Sequence, residues 1–173
     1  MVAFCVLYIK GVYMPTIKRT CFNYCCYHIV TRGNQKQVVF REKRDYQRYL
    51  HIVKKAKKKY KIKLYAYCLM PNHVHQLIKI NKIKDMINFM RWVNRGYTAF
   101  FNAKYEKVGH LWQGRYKSKP IVRGRYLFNC ATYIEENPLR KKIIKDIADY
   151  KWSSYKERCL MSKKTMLDEF DIF

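Results

Sequence analysis

The chain has 173 residues and a formal net charge of +25 at pH 7, from 37 Lys and Arg against 12 Asp and Glu. Its 49% hydrophobic and 16% aromatic content excludes a disordered basic tail, because such tails lack large apolar side chains. The length suits one domain, and the sequence contains no run of about 18 apolar residues that could cross a membrane. A folded, strongly basic domain is expected to bind a polyanion, since Lys and Arg release counterions from phosphates.

The first residues predict an extension upstream of the folded domain. They are apolar without a basic leader, and a second methionine, Met14, precedes Pro15 and a basic run, which favours an upstream start site. We expect an N-terminal extension over 1–20, one domain over 21–160 and a C-terminal tail over 161–173. The cluster of Cys21, Cys25, Cys26 and His28 fits no common zinc spacing, so buried thiols in a reducing cytoplasm are expected.

The first half of the chain predicts a strand, a helix and a hairpin. Aromatic and β-branched residues over 22–31, followed by the turn sequence RGN, predict a strand. Helical spacing of apolar residues begins near Asp45, and the lysines of 54–63 fall on the solvated side. Two strand-like segments, 62–69 and 73–80, are separated by Met-Pro-Asn and predict a hairpin.

The second half adds a helix over 84–105, a strand over 115–122 and a third helix over 126–136 that ends before Pro138. The resulting order is β-α-β-β-α-β followed by a helix. This order predicts an α+β, ferredoxin-like sandwich with an antiparallel sheet and two helices on one face. The other face is left for a ligand or for the added C-terminal helix.

The triplet His73-Val74-His75 lies in the second strand of the predicted hairpin. Because side chains alternate along a strand, His73 and His75 point to the same face and Val74 to the other. Two imidazoles about 6–7 Å apart at the Cα level can bind one metal ion. Such a triplet is more often structural, with both rings packed beside Leu77, so spacing alone leaves metal binding as the alternative.

Tyr133 and Asn137 are four residues apart in the third predicted helix and therefore share a face. A phenol beside an amide that can bind a metal suits a nucleophile site. In a chain with 16 tyrosines, the default alternative is a buried stripe of Tyr126, Cys130 and Tyr133.

Five segments resemble, in the same order, the REP-associated tyrosine transposases of the single-tyrosine branch of the HUH nuclease superfamily. They run from Tyr27 to Tyr155 and read YHIVTRGNQKQVVF, AYCLMPNHVHQLI, GHLWQGRYKSKPI, YIEENPLR and DYKWSSY. Five motifs in the same order are much less frequent by chance than a match to one short motif.

The resemblance implies a role for each matching residue. His73-Val74-His75 is the HUH triplet, whose histidines bind Mg²⁺ or Mn²⁺, and Tyr133 is the nucleophile. Related insertion-sequence enzymes often place a Gln ligand four residues after the tyrosine, where this chain has Asn137. An amide oxygen is a hard ligand that suits either metal, and Glu136 is the alternative third ligand.

The implied reaction is cleavage and joining of DNA by a transposase. The tyrosine attacks a phosphate held by the metal, a 5′-phosphotyrosine forms, and a second 3′-hydroxyl can reverse the step. Tyrosine hydroxyls have a reference pKa of about 10, so activation is required. The chain has no GxxxxGK[ST] loop, consistent with chemistry that needs no nucleotide cofactor.

The implied substrate is single-stranded DNA beside an imperfect palindromic hairpin, and a monomer is slightly favoured over a homodimer. Unpaired bases stack on aromatic side chains while cations hold the backbone. Residues that could form this contact surface are Arg32, Asn34, Arg91, Trp92, Arg95, Trp112, Arg115 and Lys117.

Two other functions explain part of the sequence. A noncatalytic nucleic-acid-binding module with a ferredoxin-like sheet explains the charge and the fold, but it gives His73, His75 and Tyr133 no common role. A plasmid replication initiator or relaxase commonly carries a longer histidine cluster or a second nearby tyrosine, and neither is present beside Tyr133.

Overall fold

Four antiparallel strands form one sheet in the order β2-β3-β1-β4. The computed structural model describes residues 22–121, 124–161 and 165–170, so the expected N-terminal extension over 1–20 lies outside the described residues. The strands are β1 (Cys26–Arg32), β2 (Lys63–Met70), β3 (His73–Lys79) and β4 (Lys117–Ile121). The predicted ferredoxin-like sheet is confirmed, because β1 pairs with β3 on one side and with β4 on the other.

Helices cover both faces of the sheet. The helices are α1 (Lys43–Lys59), α2 (Ile83–Tyr105), α3 (Arg125–Glu135), α4 (Asn137–Arg140) and α5 (Tyr155–Cys159). The first two pack together on one face, and α3 packs against β2 and β3 on the other. Within the described part of the chain, no helix is both long and apolar enough to span a bilayer.

Alternation along the strands divides the apolar side chains between two cores. Tyr27 and Ile29 of β1 pack towards α1 and α2, whereas Cys26 packs towards α3. β2 is buried at seven consecutive positions because both of its faces are covered. Cys25 joins the first core and Cys26 the second, so these neighbouring thiols lie on opposite sides of the sheet.

The helix layer of α1 and α2 follows the sequence pattern closely. A capping box between Glu42 and Asp45 starts α1, and the buried stripe of α2 contains the predicted apolar residues from Met86 to Phe101. Asp45 is fully buried and accepts hydrogen bonds from Lys104 and the Tyr105 hydroxyl of α2. These contacts join the start of α1 to the end of α2.

The chain around Pro138 differs from the sequence expectation. The third helix ends at Glu135, one residue before the expected end, and a further short helix, α4, begins at Asn137. Pro138 lies in the first turn of α4, where a helix does not need its missing N–H. The same proline therefore begins one helix after another has ended.

Residues after Tyr150 cover the outer edge of β2. The backbone N–H of Leu69 donates to the Trp152 carbonyl at 2.9 Å, and the Ser154 N–H donates to the Tyr67 carbonyl at 2.9 Å. The Asp168 carboxylate accepts the Leu64 N–H at 2.8 Å. Covering the edge removes unpaired backbone groups that would otherwise pair with another chain.

A buried carboxylate connects this C-terminal region to α3. Glu135 is fully buried; it pairs with Arg158 at 2.5 Å and accepts a hydrogen bond from the Ser154 hydroxyl at 2.5 Å. Ser154 Oγ in turn accepts the Tyr67 N–H of β2 at 2.9 Å. Sheet, α3 and α5 therefore share one hydrogen-bonded network.

We predict that Arg158→Leu lowers the free energy of unfolding by about 3–5 kcal/mol, because it leaves the Glu135 carboxylate buried without its cation. Urea denaturation followed by circular dichroism measures the loss. Arg140→Leu is the matched control, since its pair with Glu136 is exposed and is worth about 0–1 kcal/mol. Equal losses in the two variants would contradict the structural role of the buried pair.

Candidate active site

Three histidines meet on the face of the sheet that carries α3. His73 and His75 share this face of β3, with ring centroids 5.0 Å apart. His28 reaches the same face from β1, where it lies opposite Leu77. Its Nε2 is 2.9 Å from His75 Nδ1, and the two rings stack at 5.1 Å.

The histidine pKa values are all lowered, so the three rings are neutral at pH 7. Burial lowers the pKa of His75 to about 3, with a further contribution from His28 and His73. Burial and then the charges of Arg32 and Lys141 lower the pKa of His73 to about 4. For His28, burial and then Lys119 lower the pKa to about 4. Neutral imidazoles are the form that binds metal.

Hydrogen bonds at Nδ1 orient both rings of the triplet. Asn72 donates through Nδ2 to the Lys36 carbonyl at 3.2 Å, so its Oδ1 faces His73 Nδ1 at 2.6 Å. A carboxamide oxygen only accepts, so the proton is on His73 Nδ1 and the Nε2 lone pair is available. When His75 Nδ1–H donates to His28 Nε2, His75 Nε2 is available in the same way.

Tyr133 lies on α3 above these rings. Its ring centroid is 6.1 Å from that of His28 and 6.4 Å from that of His75, both edge-to-face. The side chain is 44% exposed, and the Arg140 guanidinium lies 5.3 Å from the ring centroid. The alternative of a buried tyrosine stripe is wrong, because the buried side of α3 is formed by Leu127, Ala131, Ile134 and Glu135.

Asn137 reaches the site from the first residue of α4. Its Nδ2 donates to the carbonyls of Tyr133 at 2.9 Å and Ile134 at 3.2 Å, which satisfies the end of α3. Since carbonyls only accept, this geometry assigns the nitrogen and leaves Oδ1 as the remaining acceptor of a side chain that lines the cleft. Glu136 instead pairs with Arg140 at 2.7 Å.

His73, His75, Tyr133 and Asn137 border a cleft of about 500 Å³. Its lining residues are Val30, Arg32, His73, His75, Gln113, Arg115, Lys117, Tyr133, Asn137 and Lys141. The four cations at its rim are suited to a phosphate, since charge-assisted hydrogen bonds hold phosphate oxygens. The cleft thus combines a tyrosine hydroxyl, neutral imidazoles and a cationic rim.

Comparison with known proteins assigns the family. The family model described as "Transposase IS200 like" matches residues 21–137, more than half of the chain. The chain belongs to the IS200-like transposase family. The matched range contains His28, the His73–His75 triplet, Tyr133 and Asn137. A comparison with curated protein sequences found no significant match.

A solved structure supports the fold of this IS200-like transposase. It is similar to a REP-associated tyrosine transposase bound to a REP hairpin, with a TM-score of 0.72 and 17% identity over 92% of this chain and 94% of that chain. A transposase-like protein from Deinococcus radiodurans matches at 16% identity over 70% of this chain and 97% of that chain, with a TM-score of 0.48. At these identities the likeness concerns the fold, and the lower score carries no further argument.

The predicted DNA-contact residues of the transposase separate into three groups. Arg32, Arg115 and Lys117 line the cleft. Asn34 lies in the turn after β1, where its N–H donates to the Leu111 carbonyl at 2.8 Å, and it does not line the cleft. The remaining predicted residues lie on or beneath α2, on the other side of the sheet.

Trp112 is the predicted contact that the structure contradicts. Its side chain is 6% exposed, and its ring packs against Tyr49 and Tyr97 in the core under α1 and α2. The indole Nε1 donates to the Asn94 carbonyl at 3.3 Å. Arg91, Trp92 and Arg95 are exposed on the outer surface of α2 and are not brought to the tyrosine.

Sequence reasoning missed His28, Gln113 and Lys141 as parts of the site. The sequence places His28 beside cysteines, and only the pairing of β1 with β3 brings it to His75. Strand alternation was the one signal that could have found it, because His28, Val30 and Arg32 share a face. Gln113 and Lys141 lie in irregular segments, where no periodicity predicts the side-chain direction.

The donor set fits a divalent metal through two imidazoles and an amide. Among residues 22–121, 124–161 and 165–170, no group of three or more His, Cys, Asp or Glu could hold a metal ion. The third histidine, His28, is engaged with His75 Nδ1. The available donors are therefore His73 Nε2, His75 Nε2 and Asn137 Oδ1, of which the amide oxygen is the hard donor that Mg²⁺ and Mn²⁺ accept.

We predict that the metal-free protein loses stability as the pH falls from about 6.5 towards 4. An unfolded histidine takes up a proton near 6.5, whereas His28, His73 and His75 resist protonation until about 4 or below. The unfolded state therefore binds more protons in this range, which lowers the free energy of unfolding. Thermal melts in a chelating buffer measure the effect.

His28→Asn is expected to make this dependence of Tm on pH shallower, because one of the three resisting groups is gone. His51→Asn is the matched control, since His51 is exposed on α1. A slope that is unchanged in His28→Asn would contradict the burial argument.

Proposed function

We propose that this IS200-like transposase cleaves and rejoins single-stranded DNA beside a hairpin through a covalent 5′-phosphotyrosine at Tyr133. The observation that carries the proposal is the position of Tyr133 at a cationic cleft, over the neutral imidazoles of His28 and His75. The structurally similar REP-associated transposase, bound to a REP hairpin, supports the choice of partner. The reaction would take place on DNA in the cytoplasm.

The cleft residues first bind and orient the strand. Arg32, Arg115, Lys117 and Lys141 lie around the cleft and would hold the phosphates on either side of the scissile bond. Holding the strand against Tyr133 replaces a bimolecular encounter by an oriented contact. An unpaired strand meets this requirement because its backbone can bend into the cleft.

His73 Nε2, His75 Nε2 and Asn137 Oδ1 would hold Mg²⁺ or Mn²⁺. The ion, when bound, withdraws electron density from a non-bridging oxygen of the scissile phosphate and stabilises transition-state charge. We prefer Asn137 to Glu136 as the third ligand, because the Glu136 carboxylate pairs with Arg140 outside the cleft. His28 and Asn72 keep the two imidazoles in the required orientation.

The chemical step is an in-line displacement at phosphorus. The Tyr133 oxygen forms a bond to the phosphorus and gives up its proton, while the bond to the 3′ oxygen breaks and that oxygen leaves as a 3′-hydroxyl. One phosphodiester replaces another, so no ATP is consumed. A different 3′-hydroxyl can attack the phosphotyrosine in the reverse sense and join two strands.

We propose that one chain suffices for the site. Glu135, two residues after Tyr133, is bound to Ser154 and Arg158 of the same chain. Phe170 adds a second contact, since its ring lies 4.7 Å from that of Phe128 on α3. The tyrosine helix is thereby held over the histidines of its own sheet, which supports a monomer.

We predict that the wild-type protein with Mn²⁺ forms a covalent adduct on a single-stranded hairpin oligonucleotide and that Tyr133→Phe forms none while still binding the DNA. Phenylalanine keeps the ring but lacks the attacking oxygen. A denaturing gel with 5′- and 3′-labelled DNA shows whether the protein retains the downstream fragment through its 5′ phosphate, in which case the 3′ label shifts with the protein and the 5′ label is released.

Tyr126→Phe is the matched control for this experiment, since Tyr126 is on the same helix and is 71% exposed. It is expected to form the adduct at the wild-type level. An undiminished adduct in Tyr133→Phe would show that another residue is the nucleophile. Binding without any adduct in the wild type would instead favour a noncatalytic nucleic-acid-binding module.

We predict that the double variant His73→Ala/His75→Ala and the single variant Asn137→Ala each weaken Mn²⁺ binding by more than about tenfold. Removing a residue that only hydrogen-bonds to a metal ligand commonly costs about tenfold, so removing a ligand itself should cost more. Electron paramagnetic resonance of unbound Mn²⁺ measures binding without DNA. Glu136→Ala is the control for Asn137→Ala and is expected to bind as the wild type does. A loss in Glu136→Ala with none in Asn137→Ala would reverse the assignment of the third ligand.

A further inference from the structure

Three cavities of the protein are connected by shared arginines. We call the cleft that contains Tyr133 the tyrosine cleft. Arg115 lines both this cleft and a second groove of about 430 Å³. Arg91 and Arg95 line that second groove and also a third, of about 420 Å³, that contains Trp92. We call Arg115, Arg91, Arg95 and Trp92, with Lys59, the basic track.

The basic track passes around one edge of the sheet. It starts beside Lys117 at the beginning of β4, which is the outermost strand on this side. The second groove lies between Arg115, Tyr116 and the side chains of α2 from Ile87 to Arg95. The third groove lies on the outer surface of the helix layer, between α2 and Tyr60 at the end of α1. The track therefore leads from the α3 face to the opposite side of the molecule.

An exposed aromatic surface stands at the far end of the track. Trp92 is 44% exposed, and the Lys59 ammonium lies 4.0 Å from its ring centroid. The ring packs edge-to-face against Tyr60, with centroids 6.3 Å apart, and its exposed part is bordered by Lys59, Arg91 and Arg95. It has the composition of sites that stack a base and hold the adjacent phosphate.

Gly96 forms part of this third groove for a reason other than helix packing. A Cβ at this position would lie 3.6 Å from Ile52 Cγ2, an ordinary contact, so α1 and α2 do not require a glycine here. Glycine in a helix interior is less favourable than alanine. Its lack of a side chain leaves open the floor beside Trp92.

The turn around the sheet edge selects a single strand as the occupant. Duplex DNA has a persistence length of about 150 base pairs, so bending it from one face of a small domain to the other is energetically costly. An unpaired strand bends at each phosphate, and the alternation of cations and aromatic rings suits it. The positive charges of Lys59, Arg91, Arg95 and Arg115 favour an acidic partner over a basic one.

We propose that the basic track binds an unpaired extension of the DNA strand held in the tyrosine cleft and stacks one of its bases on Trp92. The proposal rests on the proposed function for the strand in the cleft, but binding to the track requires neither the metal nor the Tyr133 hydroxyl. The track thus acts as a second point of attachment that raises affinity for hairpins with unpaired flanks.

The test compares binding of a bare hairpin with binding of the same hairpin carrying a 5′ or a 3′ unpaired extension of up to about 12 nucleotides. Fluorescence anisotropy with the full chain in a chelating buffer gives each affinity. We expect one of the extensions to increase wild-type affinity by about tenfold or more. In Arg91→Gln/Arg95→Gln this increase is lost, and the slope of log K against log salt for the extended hairpin falls by about 1.4, or about 0.7 for each lost phosphate contact.

The matched control is Lys54→Gln/Lys55→Gln, which removes two positive charges from the exposed side of α1, away from the three cavities. It is expected to keep the increase. Trp92→Leu is expected to lose most of the increase with little change in salt slope, because it removes stacking and no charge. Trp92 is the most exposed of the three tryptophans, so extended DNA should also quench its fluorescence.

Two results would overturn the proposal: extensions of both polarities that add no affinity to the wild type, or equal losses in the arginine and lysine variants. The second result would mean that total charge, and not the track, attracts the DNA. Failure of the proposed function gives a different result: the hairpin binds, but no covalent protein–DNA adduct forms in the presence of Mn²⁺. Extension-dependent binding without an adduct would support the track and reject the phosphotyrosine chemistry.

Discussion

The buried Glu135 carboxylate is the contact on which the geometry of the site depends. It lies in α3, two residues after Tyr133, and its partners are Ser154 and Arg158. A carboxylate removed from water is tolerated only when it is paired, so α3 keeps one position relative to the sheet as long as these partners remain. The C-terminal residues that supply them also cover the edge of β2. Stability of the sheet edge and placement of the tyrosine therefore have a common source.

The electrostatics of the cleft require neutral histidines within a highly cationic molecule. A net charge of +25 attracts DNA, and it also makes another positive charge in the cleft unfavourable. Burial, together with nearby Arg32, Lys119 and Lys141, lowers the histidine pKa values far below 7. Arg32 and Lys141, which would hold phosphates, thus add to burial in keeping His73 in the form that binds metal. Hydrogen bonds from outer residues then determine which ring nitrogen faces the cleft.

Much of the fold could be predicted because its signals are local. Alternation over β1 to β3 and the apolar stripe of α2 depend on residues close in sequence, and the order of these elements leaves few topologies. The end of α3 was harder to predict from the sequence, since Pro138 is compatible both with ending one helix and with starting another. Trp112 was mistaken for a contact residue because an aromatic residue beside basic ones looks the same whether it is exposed or buried.

The sequence by itself determined the class of fold, the positive charge that favours a polyanionic partner, and the family motifs, because charge, periodicity and motif spacing are properties of short segments. Only the tertiary structure decided that His28 contacts His75, that Asn137 turns its Nδ2 to the carbonyls of α3, and that Trp112 is core. It also separated Arg91, Trp92 and Arg95 from the tyrosine cleft and connected them to it through Arg115. These relations depend on strand register and helix placement, which bring together residues distant in sequence.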